Sequence, residues 1–411
     1  MQDLTPSVTL PCDHAGVNGI RTRDIALGVL LSIAILGINV WTVSSRLGFL
    51  HKAKQVKETD QWRYIEMARD PDRTKRLSRE GTYCWRVFVP TTARMLMRSG
   101  LSLNLSFWLI TNIFLFGFLL VTWIYLRDLG FDIPYRVAGL FLLGLTQGAV
   151  RWYEYQYWTT DPPSLFFIAL SILLIHRGRH FALYLPSAVA ALVRESQLVI
   201  FPYYFIYLLR RGASFFEATW RSGSVALVPL GIWIALRVLI IPDHPDSMVA
   251  DFKDTMGFRI RHIVDQPYVF TVGAWGVLFP LLFLFPRRIP GLVRRHPEDA
   301  FMVVFFASLC ALANNTEREL GYALPAVLPA ALYFLRSFVR ETRLPVVPVL
   351  AAAVFMQVLF YFEQRWGRPG MSMYQPTSLR LAAAMLVFWI GARVTLRRRF
   401  APQDAPSSGG Q

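Results

Sequence analysis

The sequence predicts an all-α polytopic membrane protein, a single bundle of about 11–12 transmembrane helices with surface-lying helices in its first outer loop. Three observations carry this expectation. The 411 residues are 54% hydrophobic and 14% aromatic but only 17% charged, with a mean hydropathy of +0.38. The apolar residues come in blocks long enough to cross a hydrocarbon core of roughly 30 Å. Charged residues, mostly basic, gather between those blocks. A backbone in lipid must satisfy its own hydrogen bonds, and blocks of this kind then fold as a helical bundle.

The formal net charge of +16 would suggest nucleic acid in a soluble protein. No basic soluble domain is present to carry such binding, so the charge marks cytoplasmic loops and anionic membrane lipids instead, with no nucleic-acid partner. Cys12, Cys84 and Cys310 are scattered without metal-ligand spacing and say little about redox compartment.

Residues 1–23 read as a cytoplasmic tail ending in Arg21 and Arg23. They carry no small-residue cleavage site, so the first span is expected to be retained. Residues 24–400 form one transmembrane domain, and 45–104 are its first extracytoplasmic loop. Spans are expected at 25–43, 105–126, 137–150 and 165–175. The block 181–209 is interrupted by Arg194-Glu195-Ser196-Gln197, a pattern that suits two short helices meeting at a charged apex. Further spans are expected at 225–241, 268–285, 301–313, 322–335, 346–362 and 379–390. Residues 401–411 read as a disordered tail. No internal repeat supports two-fold transporter symmetry.

Alternation over about twelve crossings puts both termini on one side, with Arg127, Arg136, Arg177, Arg210 and Arg397-Arg398-Arg399 in its loops. The positive-inside rule makes that side cytoplasmic, in a multi-pass protein of the cell membrane. The first loop breaks the rule, because Lys52, Lys54, Lys57, Arg63 and Arg69 would face outward. Binding a lipid phosphate would explain an outer loop this basic. A miscount of the spans is the plain alternative.

Candidate chemistry begins in that loop. Glu58 and Asp60 stand just past the first span, where a carboxylate can deprotonate an alcohol or hold a divalent metal. Two carboxylates at i and i+2 point different ways on a helix, so one of them addresses a given substrate atom. Asp60 is favoured, since it opens the amphipathic run Trp62, Ile65, Met67 and Ala68. Such pairs are common enough by chance that position supplies most of the signal. The run from Trp152 to Asp161 interleaves aromatic rings with Glu154 and Asp161. Tyr157 and Trp158 would stack on a sugar while the carboxylates bond its hydroxyls. An interfacial aromatic belt is the competing explanation, although it leaves Glu154 and Asp161 unexplained.

Arg194 and Glu195 stand where apolar sequence is expected, as a structural pair or as a phosphate site. Arg237, inside its own apolar run, is expected to pair with a carboxylate and is given no role. Arg318 lies in a compact polar cluster that would contact a headgroup or simply cap a helix.

These pieces, in this order, resemble the GT-C superfamily of integral-membrane glycosyltransferases. Glu58-Thr59-Asp60 looks like the family's loop motif, and Thr160-Asp161-Pro162-Pro163 like its Asp-Pro start of a middle span. Arg194-Glu195 looks like its basic-Glu step, and Glu317-Arg318 with Pro325 and Pro329 like its late span. The likeness covers most of residues 25–340 in layout. It departs from the family in the basic first loop and in lacking a large soluble C-terminal domain.

The resemblance implies a GT-C-like bundle that moves a sugar from a polyprenyl-phosphate lipid to an acceptor glycan, lipid or protein on the extracytoplasmic face. Transfer would be inverting, with Asp60 as general base and Arg194, Arg318 or Arg86 holding the departing phosphate. Some branches of the family require a divalent metal and others do not. No ligand cluster beyond Glu58 and Asp60 stands out, so no metal and no other cofactor are expected. The alternatives are a transporter or flippase for an anionic or lipid-linked solute, and a non-catalytic subunit of an envelope-assembly complex.

Overall fold

A computed structural model describes residues 22–50, 60–70, 82–240, 273–310 and 316–363, with isolated helical positions at 253–260 and 383–394. Residues 1–21 of the expected tail at 1–23, the expected tail at 401–411, the residue Glu58, residues 268–272 of the expected span at 268–285 and most of that at 379–390 lie outside the described residues. Among the described residues every regular element is helical.

In chain order the helices are α1 (Thr22–Leu47), α2 (Asp60–Arg69), α3 (Phe88–Arg98), α4 (Leu103–Asp128), α5 (Ile133–Gly144) and α6 (Trp152–Tyr155). Then come α7 (Asp161–His176), α8 (Tyr184–Ala191), α9 (Ile200–Arg210), α10 (Phe215–Leu239) and α11 (Leu278–Leu282). The last are α12 (Ile289–Arg295), α13 (Pro297–Leu309), α14 (Thr316–Gly321), α15 (Leu324–Thr342) and α16 (Val346–Glu363).

Local sequence sets the ends of these helices. Ser102 and Ser214 cap α4 and α10, their hydroxyls accepting from the Leu105 and Glu217 amides at 3.3 and 3.1 Å. Pro162 and Pro163 fall in the first turn of α7, where a missing N–H costs nothing, so that helix starts at Asp161. It stops at Gly178, whose φ of 64° is left-handed. α5 is followed by a π-type turn at Gln147–Arg151 that runs into α6.

α1, α4 and α10 are each long and apolar enough to cross a membrane. Ile133–Gly144 with Gln147–Tyr155, bent by 59°, makes a fourth such unit. Among the described residues, α7, α8 and α16 are apolar but shorter than a full crossing usually needs. α7 is 16 residues, about 24 Å at 1.5 Å per residue. It is apolar nearly all round because it is enclosed by protein, with Leu165, Ile168 and Ile172 fully covered. α4 lies along it so closely that a Cβ on Gly117 would sit 2.8 Å from the Phe166 ring. The interrupted block 181–209 forms α8 and α9, with Arg194 extended between them.

Ion pairs identify one end of the bundle. Asp24 at the start of α1 meets Arg136 at 2.9 Å, and Asp128 at the end of α4 meets Arg177 at 2.5 Å. Arg210, closing α9, meets Glu298 at 2.9 Å, and Arg288 meets Glu341 at 2.5 Å. α7 runs from the opposite end, where Asp161 sits, to this basic one, where His176 bonds Tyr203 at 3.2 Å.

Candidate functional site

At the end of the bundle away from those pairs, four stretches of chain deliver charged side chains to one buried point. The break between α8 and α9 supplies Arg194 and Glu195, the first turn of α7 supplies Asp161, and α14 supplies Arg318 and Glu319. Arg86 comes from the connection just before α3. Arg194 Nη1 donates to Asp161 Oδ1 and to the Tyr322 hydroxyl at 3.1 Å, while Nη2 donates to Glu319 Oε1 at 2.5 Å. Tyr322 in turn donates to Asp161 Oδ1 at 2.5 Å. Arg318 lies behind, its Nε 3.6 Å from Asp161 Oδ1 and its Nη2 3.8 Å from Glu319 Oε1.

Asp161, Glu319, Arg194 and Arg318 are all buried. An unpaired charge so placed would be prohibitive, and the pairing is what permits the cluster. Arg86 and Glu195 extend it, with Arg86 Nε donating to Glu195 Oε2 at 3.0 Å. Three guanidinium groups thus face three carboxylates. Both Arg86 and Glu195 lie in connections between helices, and their titration reflects the contact. Burial, the largest influence, would lower the Arg86 pKa, yet the Glu195 charge and Tyr64 together outweigh it and the net shift is upward. For Glu195 burial pushes up most strongly, and Arg86, its own backbone amide and Arg194 together pull the carboxyl below its ordinary range.

The first loop rests on this cluster. Arg86 Nη1 donates to the Tyr64 hydroxyl at 3.1 Å, and Thr160 reaches the same hydroxyl at 3.5 Å. Tyr64, Ile65, Met67 and Ala68 of α2 pack with Val89 and Ala93 of α3 over Phe107, Ile110, Tyr157 and Trp158. Arg94 of α3 holds the C-terminal carbonyls of α2, donating to Met67 O and, at 3.2 Å, to Ala68 O. The amphipathic pattern of both helices therefore buries one face against protein, not only against a surface.

The other expected residues fall as follows. Asp60 is the first residue of α2, one helical turn before Tyr64; its side chain lies outside the described residues, as does all of Glu58. Tyr157 and Trp158 are buried with ring centroids 3.9 Å apart, and Trp158 Nε1 donates to Asn104 Oδ1 at 3.3 Å. Glu154 is buried away from the arginines, hydrogen-bonded by Asn112 and Trp108, with its Oε1 unpartnered. Arg237 differs from the expectation: its guanidinium lies 3.6 Å from the Trp85 ring and 3.8 Å from the Trp233 ring, and no carboxylate among the described residues pairs with it. Two indoles offer its charge a polarisable surface, so burial there needs no counter-ion.

Sequence reasoning missed Tyr64, Glu319 and Tyr322 as members of the cluster. Tyr322 stood at the head of an apolar block, and Glu319 resembled an ordinary loop charge.

Among the described residues one further group has metal-ligand chemistry, at the opposite end of α7. His296, Glu298 and Asp299 bring their ligand atoms within 4.8 Å of one another. Arg210 already holds Glu298, and Tyr203 donates to Asp299 at 3.0 Å, so the carboxylates are committed to protein cations and hydroxyls. The sequence matches no protein-family profile and no curated protein.

Proposed function

We propose that this chain is a membrane glycosyltransferase. It would move a sugar from a polyprenyl-phosphate lipid to an acceptor hydroxyl at the extracytoplasmic face, in a GT-C-like bundle of about 11–12 crossings. The observation that carries the proposal is the buried Asp161–Arg194–Glu319 cluster, set at the bundle end remote from the Arg136, Arg177 and Arg210 ion pairs, with the helix of Asp60 lying over it. The positive-inside rule makes the basic end cytoplasmic and the cluster end external.

In this mechanism Asp60 takes the acceptor proton as its oxygen bonds the anomeric carbon. The bond from that carbon to the phosphate oxygen breaks with inversion, and the prenyl phosphate departs as a stable anion needing no general acid. Asp161, Glu319 and Glu195 are each already engaged by a guanidinium. Their part is to keep the arginines and the cluster in shape. Glu154, with one bare buried oxygen, is suited to accept from a sugar hydroxyl.

The test reconstitutes the full chain in vesicles with radiolabelled prenyl-phosphate sugar and a panel of glycan, lipid and peptide acceptors. Asp60→Asn is expected to abolish transfer while donor lipid still binds. Donor movement across the bilayer without transfer would identify a transporter or flippase instead. Absence of both transfer and donor movement with the unsubstituted chain would leave a non-catalytic subunit, and transfer undiminished in Asp60→Asn would remove Asp60 as the base.

A further inference from the structure

We propose that Arg237, clamped between Trp85 and Trp233, is the site that receives the phosphate group of a membrane lipid. The inference deepens the function proposed above by naming which arginine takes the phosphate, and it rests on that function only for the choice of a prenyl chain.

Arg86, Arg194 and Arg318 were the candidates from sequence, and each already faces a carboxylate. Arg237 has neither an ion pair nor a hydrogen bond to any described residue. The carboxylate within its electrostatic reach, Glu195, is held by Arg86 at 3.0 Å. The Arg237 guanidinium carbon lies over two indoles, 3.6 and 3.8 Å from the Trp85 and Trp233 ring centroids, and its N–H groups remain along the guanidinium edge. That edge is the part of arginine that matches phosphate oxygens.

Two donors are left bare there. Arg237 Nε and Trp233 Nε1 are both buried without a hydrogen-bond partner. They stand at i and i+4 on α10 and so share a face. A clamp serving packing alone would not leave two buried donors unmet, because a donor taken from water without a partner is a net cost to the fold. The clamp is also braced from outside, since Trp85 Nε1 donates to Ile240 O at 2.9 Å and fixes the ring.

The surroundings select a lipid. Trp233 and Pro229 of α10 line a cleft with Ala190, Leu198 and Phe201, and Arg194 and Glu195 give the cleft its polar wall. The outward face of α10 is apolar and exposed at Leu227, Ile234 and Val238. A phosphate arriving at Arg237 with a hydrocarbon chain attached would lay that chain along surface that water does not favour. The phosphate would then stand beside the Arg86–Glu195 pair, at the edge of the Asp161 cluster.

The experiment uses the full chain in nanodiscs of zwitterionic lipid and measures binding of geranylgeranyl phosphate and of geranylgeraniol by native mass spectrometry. Arg237→Gln is expected to weaken the phosphate lipid about tenfold or more and to leave the alcohol unchanged, the signature of one lost charge-assisted contact. Arg237→Lys, which keeps charge but not the flat edge, should lie between, as should Trp85→Leu, which keeps the charge but opens the clamp. Unchanged phosphate-lipid binding in Arg237→Gln, or equal losses for phosphate and alcohol, would overturn the proposal. So would inorganic phosphate binding as tightly as the prenyl phosphate, since that assigns the site to a free anion. Retention of this binding alongside failure of sugar transfer would sink the enzyme and keep the site; the reverse pair of results would do the opposite.

Discussion

Gly321 and Gly148 meet backbone to backbone: a Cβ built on Gly321 would lie 2.2 Å from the carbonyl oxygen of Gly148. The contact presses α14, which carries Arg318 and Glu319, onto the π-type turn that leads through α6 to Asp161. Two halves of the buried cluster are thus registered by a contact that only glycine allows.

Gly321→Ala is therefore expected to destabilise the protein by about 1–3 kcal/mol, the range for overpacking, because backbone cannot swing aside as a side chain would. A thermal melt of the purified protein checks this. An unchanged midpoint would mean that the contact is slack and does not register the cluster.

Arg194→Gln leaves Asp161 and Glu319 buried without their main cation, which should cost about 3–5 kcal/mol. The triple variant Arg194→Gln, Asp161→Asn, Glu319→Gln removes the stranded charges and should recover most of that loss. If the proposed function holds, sugar transfer should be lost in both variants. Full recovery of transfer along with stability would make the cluster purely structural.

Arg94→Ala removes the two bonds that hold the end of α2, while leaving the bundle helices untouched. Hydrogen exchange should quicken over residues 60–69 and stay slow in α4 and α7. Turnover should fall with it if Asp60 acts from that helix. Fast exchange with unchanged turnover would remove α2 from the reaction.

Acid should loosen the contact between Arg86 and Glu195. The Glu195 carboxyl is depressed in the folded protein, so its contribution is complete above its unfolded pKa and fades as pH falls through the folded one. Thermal midpoints measured from neutral pH downward should drop, and Glu195→Gln should flatten part of that drop while lowering the midpoint at neutral pH. Parallel acid profiles for the two proteins would show that the pair contributes nothing.

Arg194 and Glu195 were visible in the sequence for a physical reason: charge within apolar sequence is costly enough to demand partners, so it stands out; Asp161 showed as a carboxylate among aromatic rings and Arg318 as part of a compact polar cluster. Hydropathy cannot say who those partners are. Glu319 and Tyr322 are three residues apart and look like loop and span, yet the end of α14 turns both toward Arg194. The break at Arg194 was readable from polar residues inside an apolar block. The 59° bend after Gly144 was not, because Gln147 and Arg151 bracket a turn of small and apolar residues. Arg237 was misjudged because indoles, 152 and 4 residues away in sequence, replace the carboxylate a cation usually finds. Tyr157 and Trp158 read equally well as a sugar platform or a membrane belt, and the fold uses both to floor α2 and α3.

α7 carries a buried polar knot at each tip, Asp161 with its arginine at one and His176 with Tyr203 at the other. A rod fastened this way has no freedom to slip along its own length, since any travel must tear both fastenings together. The spacing between Asp161 and the basic end of the bundle is consequently an intrinsic dimension of the molecule, and in the membrane setting proposed above a bilayer of another thickness would have to adapt its own surface to that fixed mark.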